Sequence, residues 1–398
     1  MSYNDYNRNN RRRPQNRRPS SSGISRRTRN RVIIVTAGLL IFALIIVFIS
    51  SVFSCICAPK VSTTQLDTAT KGTEAKETDK TKKKEISFRE PEIDYDEDSE
   101  PGVVSGELYI WNKKAFEPFY GGETAAKTYA KMVNSAKKTL GSKIKVYTMV
   151  FPNHIEMGLP SEYKNVEDGM KTDSQADYIK HVYSNLDEEV GYINAYNELS
   201  KHCNEYIYFN SDHHWTGLGA FYAYKAFAKE TKQTPVKLAQ LEDNTIEGFT
   251  GSLSKLTEYE LAEDAVTYWD FPYEVTDEVT TEEGETETYD TCFYKNSQPG
   301  DSTYGVFLYG DNPIEKITSE SPKAKNKKIA IIHESYGNAL VPYFTYNYKT
   351  IYSIDFRSWK GNLKSFCKEN KIDEVLFANG TLSSATALQV KSMQGIIK

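Results

Sequence analysis

The sequence predicts an α/β domain of three layers, with helices on both faces of a mostly parallel sheet. Three observations lead there. Short runs rich in Val, Ile, Tyr and Phe alternate with longer stretches of helical apolar spacing. Two of those runs are followed at once by side chains of catalytic type, SDHHWT and HES. And residues 1–102 are too poor in mixed apolar sequence to belong to the core, so the domain is expected over 103–398.

Taken in order, residues 1–31 hold ten arginines and one acidic residue, Asp5, and read as a disordered basic tail. Val32 to Phe53 carries no charge over 22 residues. As a helix it would be roughly 33 Å long at about 1.5 Å per residue, enough to cross a bilayer. We therefore expect a transmembrane helix over 32–54. Arg26, Arg27, Arg29 and Arg31 crowd its start, which points the N-terminus to the cytoplasm and the remainder outside the cell. A cleavable signal peptide has a shorter apolar core, and VFSC (Val52 to Cys55) fits a lipoprotein box poorly because of its phenylalanine. Residues 55–102, dominated by Thr, Lys and acidic side chains, read as a disordered extracytoplasmic linker. The five cysteines show neither a disulfide framework nor zinc spacing.

Within the domain, GELYIWN reads as a first strand, Thr124 to Gly141 as an amphipathic helix, and KIKVYTMVFPN as a strand. DSQADYIKHVYSNL and VGYINAYNELSKH read as helices, EYIYFN as a strand, and GLGAFYAYKAFAKETK as a helix packed on the sheet. Residues 240–319, with tracts such as TDEVTTEEGETETYD, are expected as an irregular β insert outside the core. The alternation then resumes with KKIAIIHES, YGNALVPYF, YKTIYSIDF, NLKSFCKEN, DEVLFAN and a terminal helix.

Working groups in such a sheet gather beyond the carboxyl ends of the strands. A serine there, Ser335, meets free backbone N–H groups and the positive end of a helix. A hydrolase relay needs an imidazole whose outer nitrogen takes the serine proton and whose inner N–H is held by a carboxylate. If SDHHWT is extended, residues two apart share a face. His214 is then the general base, Asp212 its orienter, and His213 points the opposite way. Trp215 either walls the site for substrate or pins the turn from the core. Asn153 and Asn338 are candidate oxyanion donors. Arg357 is placed to hold an anionic sugar or a carbonyl, with an internal salt bridge as the alternative. A zinc site made from Asp212, His213, His214, His333 and Glu334 is disfavoured by the opposed histidines and by the lack of HExxH spacing. No metal and no cofactor are expected.

SDHHWT followed by GLGAFYAYKAF closely resembles the signature of the DHHW protein family, bacterial proteins related to those of alginate O-acetylation. The resemblance extends to KVYTMVFPNHIEMGLP, GFTGSL, the strand before ESY, and IYSIDFRSW. It implies an SGNH-hydrolase-like domain with a Ser-His-Asp set, matched here by Ser335, His214 and Asp212. Relatives commonly read Asp-Ser where this chain has Glu334-Ser335.

The expected function is O-acetyl transfer to a cell-surface or secreted polysaccharide. Acetyl-CoA is absent outside the cell, so a membrane-bound O-acyltransferase is the implied donor partner. A carbohydrate esterase using the same residues, or a non-catalytic carbohydrate-binding protein, is the alternative. Beyond the short basic tail there is no dominant positive face, so nucleic acid is not an expected partner.

Overall fold

The structure, a computed structural model, describes residues 86–96, 99–165 and 170–397. The basic tail, the expected span over 32–54 and most of the linker lie outside the described residues. Among the described residues no helix is long and apolar enough to cross a membrane. Ile86 and Phe88 already pack on the core. The backbone N–H groups of Arg89 and Asp94 donate to the side-chain oxygens of Asn197 (2.7 Å) and Asn204 (2.8 Å). The packed part of the chain thus reaches back beyond the expected start at residue 103.

Strands β1 (Val103–Ser105), β2 (Leu108–Trp111) and β3 (Lys114–Phe116) form a small antiparallel sheet of their own. GELYIWN, read as a first strand, supplies β2, which lies in this small sheet and not in the main one. Asn112 and Lys113 both take positive φ (48° and 57°), the tight-turn geometry that pairs β2 directly with β3. Helix α1 (Glu123–Leu140) leads to β4 (Lys145–Phe151), then α2 (His154–Gly158) and α3 (Gln175–Ser184), the last capped by the Ser174 hydroxyl, which accepts from Asp177 N–H. VGYINAYNELSKH is helical only in its second half. It opens as β5 (Val190–Tyr192), and the Asn194 side chain then caps α4 (Ala195–Leu199). EYIYFN makes no strand; its one ladder contact is the bridge between Tyr208 and Trp215. Thr216 caps α5 (Gly217–Glu230).

Strands β6 (Glu242–Phe249) and β7 (Asp264–Asp270) pair as a hairpin. Next come β8 (Val275–Thr280), β9 (Thr286–Tyr289), β10 (Ile314–Ser319) and β11 (Lys325–His333). The chain ends with α6 (Tyr336–Leu340), β12 (Tyr348–Asp355), α7 (Leu363–Asn370), β13 (Glu374–Gly380), α8 (Thr381–Ala385) and α9 (Ala387–Ile397).

The main sheet has eight strands in the order β5-β4-β13-β11-β12-β10-β8-β9. The run from β5 to β12 is parallel, and β10, β8 and β9 continue it antiparallel. The sheet is therefore mixed, and the mostly parallel expectation holds for one side of it. Residues 240–319 are not peripheral: Val275, Val279, Phe293, Phe307 and Ile317 are core residues, and β8–β10 finish the sheet. Every position of β13 is buried, as required of a strand covered on both faces. Helix α1 packs with α3, α7, α8 and α9, whereas α5 packs with α4 and α6.

Candidate active site

The turn ahead of Asp212 is built by one distant carboxylate. Asp264, at the start of β7, accepts from Asn210 N–H (2.8 Å), Ser211 N–H (2.7 Å) and Ser211 Oγ (2.5 Å). This holds residues 211–214 in a bend, not an extended strand. The alternating-face argument for the two histidines therefore fails. The His213 and His214 rings lie on the same side, centroids 3.9 Å apart.

The relay geometry is nevertheless in place. Asp212 Oδ1 accepts from the His214 ring Nδ1 (2.6 Å) and from the His214 backbone N–H (3.0 Å). Its Oδ2 accepts from the Ser252 N–H (2.7 Å) and Oγ (2.9 Å). An ionised carboxylate only accepts, so the His214 proton sits on Nδ1 and Nε2 is left as an acceptor. That Nε2 lies 2.7 Å from Ser335 Oγ, just past the end of β11. Burial alone would raise the Asp212 carboxyl, but the His214 hydrogen bond and charge, then His213 and the Ser252 N–H, hold it below the usual carboxylate range. It stays an anion beside the imidazole.

Several groups steady this line. The Tyr304 ring stacks on His214 at 4.0 Å with 9° between planes, and its hydroxyl donates to the Ser335 carbonyl (3.1 Å). The Gly251 position leaves no room for a side chain: a Cβ there would lie 2.3 Å from Asp212 Cβ. Glycine is what lets Ser252 close over the carboxylate. Glu334 reaches away from the serine, accepting from Gly380 N–H (2.8 Å) and Asn379 Nδ2 (2.8 Å) at the end of β13. It ties the turn bearing Ser335 to the neighbouring strand. Burial pushes its carboxyl up, against the pull of those two donors.

Ser335 opens into a cavity of about 210 Å³ whose lining includes Glu117, Asn153, His213, Tyr336 and Arg357. Asn153 thus stays a candidate oxyanion donor; its Nδ2 spends one hydrogen on the Glu117 carbonyl (3.1 Å). Asn338 does not. Its amide nitrogen donates to the Gly310 carbonyl (3.2 Å) and Asp311 Oδ1 (2.9 Å), so both hydrogens are engaged away from the serine. Trp215 is fully buried, packed at a tilt against Phe151 and donating to the Tyr336 carbonyl (2.9 Å), so it pins the turn and walls no substrate site. Arg357 lines the cavity, but its guanidinium is spent on Asp355 (2.6 Å) and Asp311 (2.9 Å). Partial burial, then the adjacent His214, pushes the His213 ring down to about 4, and it bonds Ser252 Oγ at 2.9 Å.

The ligating atoms of Asp212, His213 and His214 fall within 4.8 Å of one another, the one such group of three among the described residues. Their bonds to each other, to Ser252 and to Ser335 use those same atoms, which argues against a resident metal. His333 takes no part: Ser353 Oγ (2.6 Å) and the Glu334 carbonyl (2.8 Å) occupy its ring nitrogens. Sequence reasoning missed Ser252, Asp264 and Tyr304, which all fall in the stretch taken for an insert. The glycine of GFTGSL was their one visible signal.

A family model described as DHHW protein matches residues 88–354. No curated protein matches the sequence. Among solved structures, a DHHW family protein from Eubacterium siraeum is 29% identical with a TM-score of 0.68, over 75% of this chain and 98% of that one. Bacillus cereus PatB1, solved with a sulfonyl adduct, shares the fold at 16% identity and a TM-score of 0.59, over 75% and 98%. The O-acetyltransferase domain of Pseudomonas putida AlgJ superposes more loosely, at 13% identity and a TM-score of 0.41, over 74% and 98%.

Proposed function

The chain belongs to the DHHW family, and from that premise we propose an SGNH-type acyltransferase that moves an acetyl group through Ser335 onto a polysaccharide hydroxyl. The observation that carries this reading is the unbroken hydrogen-bond line from Asp212 through His214 to Ser335. In the first half-reaction, His214 Nε2 takes the serine proton as Oγ bonds to the acetyl carbonyl carbon. Asn153 donates to the resulting oxyanion, and the donor oxygen leaves with the proton that His214 returns. In the second, His214 takes the proton of a sugar hydroxyl, whose oxygen attacks the acetyl carbon. Ser335 Oγ then leaves and regains its proton. Asp212 keeps the ring oriented and offsets the imidazolium charge in both. A cavity of about 210 Å³ suits a small acyl group, not a long chain.

The same reading includes a membrane-anchored protein with its catalytic domain outside the cell. Its acetyl donor would be a membrane-bound O-acyltransferase, and its acceptor a cell-surface or secreted polysaccharide. The charge-free stretch 32–54 behind a cluster of arginines supports the anchor.

The test is to incubate the full chain with an aryl acetate and a mixture of oligosaccharides, then weigh the products. Acetylated oligosaccharide that disappears in Ser335→Ala is the expected result. Free acetate alone would make the protein an esterase. No acetyl on Ser335 from any donor would end the enzyme reading.

A further inference from the structure

A second, larger depression of about 710 Å³ adjoins the serine cavity, and Arg357 lines both. Its position follows from the topology. Strands β11 and β12 end side by side, His333 opposite Asp355, so Ser335 and Arg357 emerge next to each other. Ile314, opening β10, pairs with Ile354 of β12 and with Thr280, the last residue of β8. The depression therefore runs from the serine across β12, β10 and β8, about 15 Å at roughly 4.8 Å per strand step. That length suits an oligomer better than a single small molecule.

Its lining mixes charged side chains with Pro313, Ile314 and one aromatic platform, Trp359. Trp359 is half-buried in the wall, and its indole packs edge-on against Phe366 (5.4 Å, 80°). Gly361 leaves the indole its place: a Cβ there would lie 2.1 Å from the ring. Thr281 and Ser358 also line the groove, but their hydroxyl oxygens are buried, with no partner among the described residues. The charges do not favour an anion. Glu282, Asp311 and Asp355 face Arg357 and Lys360, and Arg357 is already shared by two of those carboxylates.

We propose that this groove binds the acceptor as an uncharged oligosaccharide segment, stacked on Trp359 and leading one sugar hydroxyl into the Ser335 cavity. The proposal rests on the acyl-transfer reading for its acceptor role. An aromatic face flanked by carboxylates such as Glu282 and Asp311, which can accept from sugar hydroxyls, recognises sugar rings, and a cation-poor lining turns uronic acids away. Arg357 acts as part of the groove wall and not as an anion clamp.

Binding tests this independently of catalysis. The full chain is titrated by calorimetry with cellopentaose, chitopentaose and pentagalacturonate, as wild type and as Trp359→Ala and Thr281→Arg. The expected result is that an uncharged pentamer binds at least tenfold more tightly than the uronate, and that each substitution weakens it tenfold or more. Thr281→Arg fills the groove from its rim, so it keeps the test decisive if Trp359→Ala folds poorly. Equal or tighter binding of the uronate, no binding of either uncharged pentamer, or both variants within twofold of wild type would overturn the proposal. Pentamer binding without any acetyl on Ser335 would sink the acyl-transfer reading and leave the groove. Acetylation of Ser335 without pentamer binding would do the reverse.

Discussion

Asp212 accepts four hydrogen bonds, two at each oxygen, and half of them come from Ser252, forty residues away. Those donors fix the carboxylate, which fixes the imidazole plane. Replacing it by Asn is expected to lower kcat by about 10⁴-fold, because an amide offers Nδ1–H no comparable acceptor and the wrong tautomer is favoured. His214→Ala should cost far more than His213→Ala, since only His214 touches Ser335 Oγ; steady-state rates on an aryl acetate compare them. Tyr304→Ala should lower kcat by about 10²-fold through loss of ring positioning, and Tyr304→Phe, which keeps the stack, by much less. At this scale the sequence was informative where partners are near in the chain. Asp212, His214 and Ser335 could be picked out from their types and placement. The face of His213 could not, because its turn is bent by Asp264, and no local pattern announces a carboxylate 51 residues downstream.

Strands β8 and β10 hold a feature the alternation of residues hides. Asp277 (0% exposed) and Glu315 (2% exposed) sit on the same face of these paired strands, and neither Asp277 carboxyl oxygen has a hydrogen-bond partner among the described residues. Burial, then their mutual repulsion in the case of Glu315, pushes both carboxyls up. The folded state therefore binds protons more tightly than the unfolded chain. The pair's contribution to stability is full below the ordinary carboxyl range near about 4 and is lost as pH rises towards the folded values. Asp277→Asn should accordingly raise Tm at pH 8 by roughly 3 °C and change it little at pH 4; thermal denaturation at the two pH values checks the sign. The polar tract between them is what made residues 240–319 read as an insert. Acidic residues at alternate positions look like a solvent face, and nothing local says that Ile317 and Val279 are matched by a buried acid pair. The parallel strands, whose central stretches such as Ile329 to Ile332 are unbroken apolar runs, were legible for the opposite reason.

Across the whole molecule, the packed region begins earlier than composition suggests. Ile86 and Phe88 lie in a charged, aliphatic-poor stretch, yet they dock on the core while Asn197 and Asn204 hold the backbone beside them. Two apolar side chains among many charges do not register in a composition window. A chain starting at residue 103 should be less stable than one starting at 82 by roughly 2 kcal/mol, from the apolar surface uncovered; urea unfolding of the two compares them. The family signature, by contrast, was readable because it clusters in SDHHWT, whose members stay close in space. The most direct test of the account is to acetylate the full chain with an aryl acetate, quench it rapidly, and map the modified residue by mass spectrometry. One acetyl group on Ser335 in wild type, lost in His214→Ala, is the expected result; acetylation elsewhere, or Ser335 labelled equally fast without His214, would rule out the Asp212–His214–Ser335 relay.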